Sequence, residues 1–272
     1  MLQHKFLVFA VVLYLLVVGT VAVLRHYQFQ TQAWDMGIFE QTMWNTLQGR
    51  VMQNSLEEIP QHLGVHMSPF LFLLIPLYAL WQSPYFLLIS QTLALALAAV
   101  PLYFWSGYIL KSERLSKVIV LSYLFNPALH SLNLFDFHEI AFFIPLLFLA
   151  FYFCARRNWF WAGAFLFLAA TTKEDAALLA IAIAAFWLLQ SILKKEGGRI
   201  KKLLPWFIIL TTYFIVSVQI IMPALGGGLL RLDRYSHLGI GFSGMLKNLV
   251  SNPLVYLSTI FTAAKLKYIL FL

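Results

Sequence analysis

The sequence predicts an all-α bundle of membrane-spanning helices, and three observations support this fold class. Hydrophobic residues make up 61% of the 272 residues and charged residues only 11%, which is unlike an ordinary soluble domain. The hydrophobic residues form runs, several of which approach the roughly 20 residues that span a bilayer. Basic residues gather between these runs. We therefore predict one integral membrane domain, residues 1–272, with seven crossings and an incomplete eighth.

The first elements are an anchor and a long polar loop. Phe6–Leu24 predicts a first span that is retained, because no small-residue cleavage site follows it. Residues 25–68 form a large first outer loop that is rich in ionisable groups. A helix is predicted from Asp35 onward, lying along the membrane surface with Thr42 and Asn45 facing away from its apolar stripe. The stripe consists of Met36, Phe39, Met43 and Leu47.

The middle of the chain predicts spans of unequal length. Pro69–Trp81 is too short to cross and is predicted to be re-entrant or interfacial. Pro84–Leu110 crosses, and residues from Val118 to about Leu134 cross back with an interruption at Asn126-Pro127. Ile140–Cys154 and Trp159–Thr172 are two shorter crossings.

The last third begins at a charged turn, Lys173-Glu174-Asp175. Ala176–Leu193 and Leu203–Pro223 complete the seven predicted crossings. Residues 225–244 form a glycine-rich second outer loop, followed by an interfacial or partly inserted helix over Met245–Ala264. Lys265–Leu272 opens the incomplete eighth span.

The distribution of charge predicts the orientation. With the N-terminus in the cytoplasm, the basic groups at residues 111–117, 156–157 and 194–202 all lie on the cytoplasmic side, as the positive-inside rule requires. The net charge of +8 is thereby explained without a nucleic-acid partner. Of the eleven acidic residues only Glu113 and Glu196 share that side. We therefore predict a plasma-membrane protein that acts at its outer face.

Asp35 is the first candidate for chemistry. It stands at the predicted start of the surface helix, where a carboxylate can cap the exposed backbone N–H groups. It can equally act as a general base or metal ligand at the membrane boundary. Both interpretations remain open on composition alone.

A second group of candidates predicts a divalent metal site. Asp136, His138 and Glu139 follow one another closely, and His62 and His66 have an i, i+4 spacing, although Gly64 is expected to interrupt a helix there. Imidazole and carboxylate together suit a divalent cation. The alternative is that these histidines are simply solvated.

A third group carries positive charge. Lys173, Glu174 and Asp175 can form a turn capped by Thr171 or Thr172, or they can form part of a site in which the lysine holds a phosphate. Arg231 and Arg234 in the second outer loop can hold a phosphate in the same way, or remain solvated.

Four motifs in order carry a family resemblance. They are Trp34-Asp35-Met36-Gly37-Ile38-Phe39-Glu40-Gln41, His66-Met67-Ser68-Pro69, Phe137-His138-Glu139 and Lys173-Glu174-Asp175. In this order they resemble a prokaryotic family of polytopic membrane proteins known only as a domain of unknown function. That family is similar in turn to the GT-C superfamily of polyprenyl-phosphate-sugar-dependent glycosyltransferases. The resemblance runs from about Phe6 to the end, and its members are longer, so we expect a truncated copy without later helices and an outer domain.

The resemblance implies a function. A GT-C-like enzyme would transfer a sugar from a polyprenyl-phosphate donor to an acceptor at the outer face, with Asp35 as the catalytic acid of the first outer loop. The usual two-acid signature is absent, since Met36 and Gly37 follow Asp35. The leaving phosphate needs a cation, either Lys173, Arg231 or Arg234, or a divalent metal. The remaining predicted site residues are Trp34, Glu174 and Asp175 for substrate, and His66, His138 and Glu139 for metal.

Two other classes remain open. A transporter or flippase of a lipid-linked or anionic solute would place charges and broken helices near the bilayer midplane, often in repeated halves. In this sequence the charges gather at one face and no repeat is visible. A scaffold without chemistry would leave the outer acids and histidines unexplained.

Overall fold

The computed structural model describes residues 2–228 and 232–270, and the regular secondary structure of these residues is helical, with one isolated bridge between Gln53 and Gln61. This confirms the predicted all-α class. The chain forms two compact units, Met1–Gly226 and Gly227–Leu272.

The first unit contains thirteen α-helices within its described residues. They are α1 (Leu2–Tyr27), α2 (Ala33–Leu47), α3 (His62–Val65), α4 (Leu71–Tyr78), α5 (Pro84–Leu97), α6 (Ala99–Leu110), α7 (Glu113–Leu124), α8 (Pro127–Phe135), α9 (Phe143–Ala155), α10 (Trp159–Ala170), α11 (Glu174–Leu193), α12 (Gly197–Val216) and α13 (Met222–Ala224). A 3-10 turn, Glu139–Phe142, precedes α9, and a π-helical segment, Ser217–Ile221, joins α12 to α13.

The second unit contains a 3-10 helix and three α-helices in its described part. These are the 3-10 helix Leu232–Leu238, α14 (Gly241–Ser251), α15 (Pro253–Ile260) and α16 (Ala263–Leu270). The Tyr256 hydroxyl donates to the Met245 carbonyl at 2.6 Å and so holds α15 against α14.

Short polar side chains fix where several helices begin. Ser83, Ser112, Asn126 and Asn158 each accept a hydrogen bond from a backbone N–H of the following turn, and they start α5, α7, α8 and α10. Pro84 and Pro127 then occupy the first turn, where a proline loses no helical hydrogen bond. The predicted interruption at Asn126-Pro127 is thus a helix cap, and α7 and α8 meet there at 43°.

Four helices are long and apolar enough to cross a membrane by length and composition, counting only the described residues. They are Lys5–Tyr27, Pro84–Leu110, Glu174–Leu193 and Gly197–Ala224, and the bent pair α7 and α8 makes a fifth if it counts as one span. A helical run long and apolar enough to span is present over Pro84–Leu110, as predicted. Seven crossings would require α10, whose 12 residues reach only about 18 Å against a hydrocarbon core of about 30 Å. The larger count stays a prediction.

The long helices expose large apolar side chains along their outer faces. Phe9 in α1 is 66% exposed, Leu189 in α11 is 54% exposed and Ile208 in α12 is 54% exposed. Water would make such faces unfavourable, whereas lipid tails match them. The helices therefore form a bundle with an apolar outside.

The apolar stripe of α2 faces the protein and not the membrane surface, so this part of the sequence interpretation was wrong. Met36, Phe39 and Met43 are at most 5% exposed and belong to one core cluster with Leu71 of α4 and Leu87 of α5. The helix itself was predicted and is present. Its stripe is buried because α4 and α5 come back against it.

The side of α2 that carries Thr42 and Asn45 is also covered. Asn54 donates to the Thr42 hydroxyl at 3.2 Å, and Asn45 donates to the Gln53 carbonyl at 2.8 Å. Thr42 and Asn45 are consequently buried. The segment after α2 folds back over it and satisfies these polar groups.

Candidate functional site

A buried ion pair joins two of the sequence motifs. Lys173 Nζ lies 3.4 Å from Glu139 Oε1, and the Glu139 side chain is fully buried. Lys173 is the extended residue that precedes α11, and Glu139 opens the 3-10 turn before α9. Burial lowers the pKa of the Lys173 ammonium, but the carboxylates of Glu139, Glu174 and Asp175 outweigh it, so the pKa is raised. The lysine is therefore held in its charged form.

Glu174 joins a third motif to this pair. Its Oε1 lies 3.0 Å from His66 Nδ1, and its Oε2 accepts a hydrogen bond from the Met67 backbone N–H at 3.0 Å. The Phe70 N–H donates to the Thr171 carbonyl at 3.0 Å. These contacts dock the segment that precedes α4 onto the start of α11.

The turn before α11 is not capped by a threonine hydroxyl. Thr171 and Thr172 donate to the carbonyls of Leu168 and Ala169 in α10, so they close the preceding helix instead. Glu174 and Asp175 lie in the first turn of α11, where the helix dipole favours negative charge.

Gln91 of α5 holds the segment 136–138 in place. Its side-chain amide donates to the Asp136 carbonyl at 2.8 Å, and its Oε1 accepts from the His138 N–H at 2.7 Å. Gln91 is fully buried. The sequence interpretation missed this residue, although a glutamine inside an apolar span is a signal because polar groups are costly there.

Asp136 supplies the missing cap of α2. Its Oδ2 accepts from the backbone N–H of Gln32, the residue before the helix, at 3.0 Å. Burial raises the pKa of the Asp136 carboxyl; the Gln32 hydrogen bond works against this, and the nearby charge of Asp35 adds to it. Asp35 itself lies in the first turn of α2 and is half-buried. The two carboxylates are thus electrostatic neighbours, and Asp136 carries the capping role.

Aromatic contacts connect the histidines. The Phe39 ring of α2 makes edge contacts with Phe137, His138 and His62, with centroids 5.0, 6.0 and 5.4 Å away. The rings of His62 and His66 are 6.0 Å apart. His138 Nδ1 is buried and has no hydrogen-bond partner among the described residues.

His62 belongs to a separate buried relay. Its Nδ1 lies 2.9 Å from Glu57 Oε2, and its Nε2 lies 3.0 Å from the Ser68 hydroxyl. The order of acid, imidazole and hydroxyl resembles that of serine hydrolases. His62 and Ser68 are both fully buried, so no substrate reaches the hydroxyl. The relay holds the loop against the start of α4.

A one-turn helix, α3, runs through Gly64, which was expected to interrupt it.

Ion pairs, charge interactions and adjacency in the chain relate seven residues, which we call the polar cluster: Asp35, His66, Asp136, His138, Glu139, Lys173 and Glu174. Asp35 enters this cluster through its charge interaction with Asp136. Trp34 extends from α2 with its side chain 57% exposed, and Asp175 is exposed on α11. Arg231 lies outside the described residues. Arg234 belongs to the 3-10 helix Leu232–Leu238 of the second unit.

Two of the three predicted metal ligands are paired with other residues. His66 pairs with Glu174, and Glu139 pairs with Lys173. Over residues 2–228 and 232–270, no three His, Cys, Asp or Glu side chains form a group that could hold a metal ion. The described residues therefore do not present the predicted ligand set, and the metal site stays a prediction.

The fold and the polar cluster define a class of protein. The chain is an all-helical membrane protein with several apolar helices that could span the bilayer, and it buries ionisable groups between them. Comparison with protein families matches residues 25–272 to DUF2079, described as a predicted membrane protein, and the chain belongs to this family. Comparison with curated proteins and with solved structures found no match.

Proposed function

We propose that this protein transfers a sugar from a polyprenyl-phosphate donor to an acceptor hydroxyl, at the outer face of the plasma membrane. One observation supports this most: motifs more than one hundred residues apart contact one another in a single polar cluster beside membrane helices, as in the 3.0 Å pair of His66 and Glu174. A lipid-linked donor suits this arrangement, because its tail stays in the bilayer while its head reaches the cluster.

The chemistry assigned to Asp35 is that of a general base. The acceptor oxygen forms a bond to the anomeric carbon while the bond from that carbon to the phosphate oxygen breaks, through an oxocarbenium-like transition state. The acceptor proton passes to the Asp35 carboxylate, and the phosphate leaves on its lipid. Because Asp136 carries the capping of α2, Asp35 is left free of that structural task.

Lys173 is the cation that we assign to the leaving phosphate. An ammonium has three N–H donors, so the pairing with Glu139 leaves donors for a phosphate oxygen. Glu139 fixes the direction of the lysine side chain. This role needs no contribution from Arg231 or Arg234, and a divalent metal would be the alternative source of positive charge.

The charge of the polar cluster also restricts the acceptor. The carboxylates of Asp35, Asp136, Glu139 and Glu174 outnumber the ammonium of Lys173. The donor brings one negative charge of its own, on the phosphate that Lys173 meets, so a second anion would be repelled by the remaining carboxylates. We therefore expect a neutral hydroxyl compound.

A transporter or flippase is the second candidate, and two observations favour it. The pair α7 and α8 is broken at 43°, and a π-helical segment interrupts the long helix between α12 and α13. Broken helices beside buried charges are a feature of transporters. A transporter would move the sugar lipid between leaflets without releasing polyprenyl phosphate.

The experiment for the enzyme compares Asp35→Asn with the parent chain, reconstituted in proteoliposomes with a polyprenyl-phosphate-sugar and a hydroxyl acceptor. Removing the base is expected to lower turnover by about two to four orders of magnitude, while the thermal midpoint changes little because the cap of α2 remains. Glu58→Gln removes an exposed carboxylate from the same loop and is the matched control. Parent-like turnover in the Asn variant would remove Asp35 from the mechanism.

A further inference from the structure

A cavity of about 860 Å³ lies between the end of α1, the start of α2 and the start of α5. Four aromatic rings line it, those of His26, Tyr27, Phe29 and Tyr85, together with the carboxylate of Glu40. The volume is that of a small-molecule site. Nothing in the proposed transfer reaction uses it.

Glu40 brings an incompletely paired charge to this cavity. Its Oε1 accepts from the Tyr78 hydroxyl at 2.6 Å, whereas its Oε2 is buried and has no hydrogen-bond partner in the described part of the chain. Burial raises the pKa of the Glu40 carboxyl, and the Tyr78 hydrogen bond works against this. A buried carboxylate oxygen without a partner is costly, and a positive charge beside it would offset that cost.

The aromatic wall is built by the turn that ends α1. His26 Nδ1 lies 2.8 Å from the Thr31 hydroxyl, and the His26 ring meets Tyr85 edge-on at 5.0 Å. Phe29 has φ +58°, a conformation that is rare for an aromatic residue, and its side chain is 94% exposed. Tyr27 is 71% exposed. Aromatic rings that line the same cavity as a carboxylate are the elements of a cation-binding site.

We infer that this cavity binds an alkylammonium group, with Glu40 as its counter-ion and the rings of Tyr27, Phe29 and Tyr85 as its cage. The ammonium belongs either to a free amine or to a lipid headgroup, since the cavity adjoins α1 and the start of the run Pro84–Leu110, formed by α5 and α6, and both are long enough to span a membrane. Glu40 would repel an anion. A sugar would need several polar partners, and among the described cavity residues Glu40 Oε2 is the buried side-chain oxygen that lacks one.

This site is distinct from the one assigned to Asp35. Five residues along α2 turn the helix by about 140°, so Glu40 and Asp35 point to nearly opposite sides. Phe39 of α2 faces the polar cluster, Gly37 and Glu40 line the cavity, and Met36 lies between them, lining the cavity while its sulfur accepts from the Phe137 N–H. The inference therefore stands or fails independently of sugar transfer.

The test measures ligand binding to the purified full chain without any sugar donor. Choline is the soluble probe, and its neutral isostere 3,3-dimethylbutan-1-ol is the matched control ligand. For a lipid source, the chain is placed in nanodiscs with phosphatidylethanolamine or with phosphatidylglycerol, and thermal midpoints are compared. The expected result is stabilisation by choline, by phosphatidylethanolamine, or by both, and none by the neutral alcohol.

Variants then test which side chains of the cavity bind the ammonium group. Glu40→Gln should weaken choline binding at least about tenfold and remove the preference for phosphatidylethanolamine. Tyr85→Leu should weaken binding as well, whereas Tyr78→Phe should retain it because the carboxylate remains. Glu58→Gln is the matched charge control. Equal binding of choline and the alcohol, no binding in either arm, or undiminished binding in Glu40→Gln would each overturn the inference.

Discussion

Burying Glu139 costs free energy, because its carboxylate is fully buried and neither oxygen has a hydrogen-bond partner among the described residues. The ion pair with Lys173 at 3.4 Å offsets that cost. Desolvating two charges is expensive, and a buried pair often contributes little net stability. Removing one partner is a different matter, because the other charge is then left uncompensated.

Lys173→Met tests this pair. The substitution should destabilise the protein by about 3–5 kcal/mol, because it leaves Glu139 buried without a cation. Adding Glu139→Gln to the same chain should restore most of the loss. The measurement is the free energy of unfolding in detergent for both single variants and the double variant. Lys117→Met, which breaks the exposed pair with Glu113, is the control and should change stability little. Additive losses in the double variant would contradict the pairing.

The same pair predicts a dependence on pH. The pKa of Lys173 is raised in the folded protein, so the stabilisation by its ammonium is complete below the unfolded-state pKa of about 10.4 and is lost as pH rises through the higher folded value. The stability difference between the parent chain and Lys173→Met should therefore stay constant from about pH 8 to 10 and shrink above that range.

At the scale of elements, α10 and α12 approach each other at a glycine. A Cβ added at Gly163 of α10 would overlap the ring of Trp206 in α12. Close approach at a small residue is a common way for membrane helices to pack, because lipid gives no hydrophobic drive between them. The tryptophan fills the space that the missing side chain leaves.

Gly163→Ala is therefore expected to destabilise the fold by about 1–3 kcal/mol through overpacking. Gly197→Ala, at a position with open space around its Cβ, is the matched control and should have a small effect. Adding Trp206→Leu to Gly163→Ala should recover part of the loss. Thermal unfolding of the three variants and the parent measures this, and a neutral Gly163→Ala would show that the helices are further apart.

Some elements were predictable because their signals are local. The run Pro84–Leu110 has the length and composition of a span, and Asn126-Pro127 carries both a cap and a proline that cannot continue a helix. The cap of α2 was not predictable in this way. It comes from Asp136, 104 residues away from the Gln32 N–H that it accepts from, and no local pattern encodes that contact.

At the scale of the whole molecule, the polar cluster lies where α2, the start of α11 and the turn before α9 come together against one apolar core cluster. Sequence reasoning selected all seven residues of the cluster, because ionisable groups are rare in so apolar a chain. It did not give their pairing. The carboxylate of Glu174 pairs with His66, and that of Glu139 pairs with Lys173. Which acid pairs with which base depends on helix packing, and the sequence does not display that packing.

The most direct test of sugar transfer compares the amount of polyprenyl phosphate released with the amount of sugar joined to the acceptor, in sealed proteoliposomes. They contain the parent chain and a labelled polyprenyl-phosphate-sugar, and a neutral hydroxyl acceptor is supplied. Two quantities are followed: the polyprenyl phosphate released, and the sugar lipid that changes leaflet. The proposed function predicts one polyprenyl phosphate for each sugar joined to the acceptor, with loss of both in Asp35→Asn. Movement of the sugar lipid between leaflets with no release of polyprenyl phosphate would contradict it and identify a transporter.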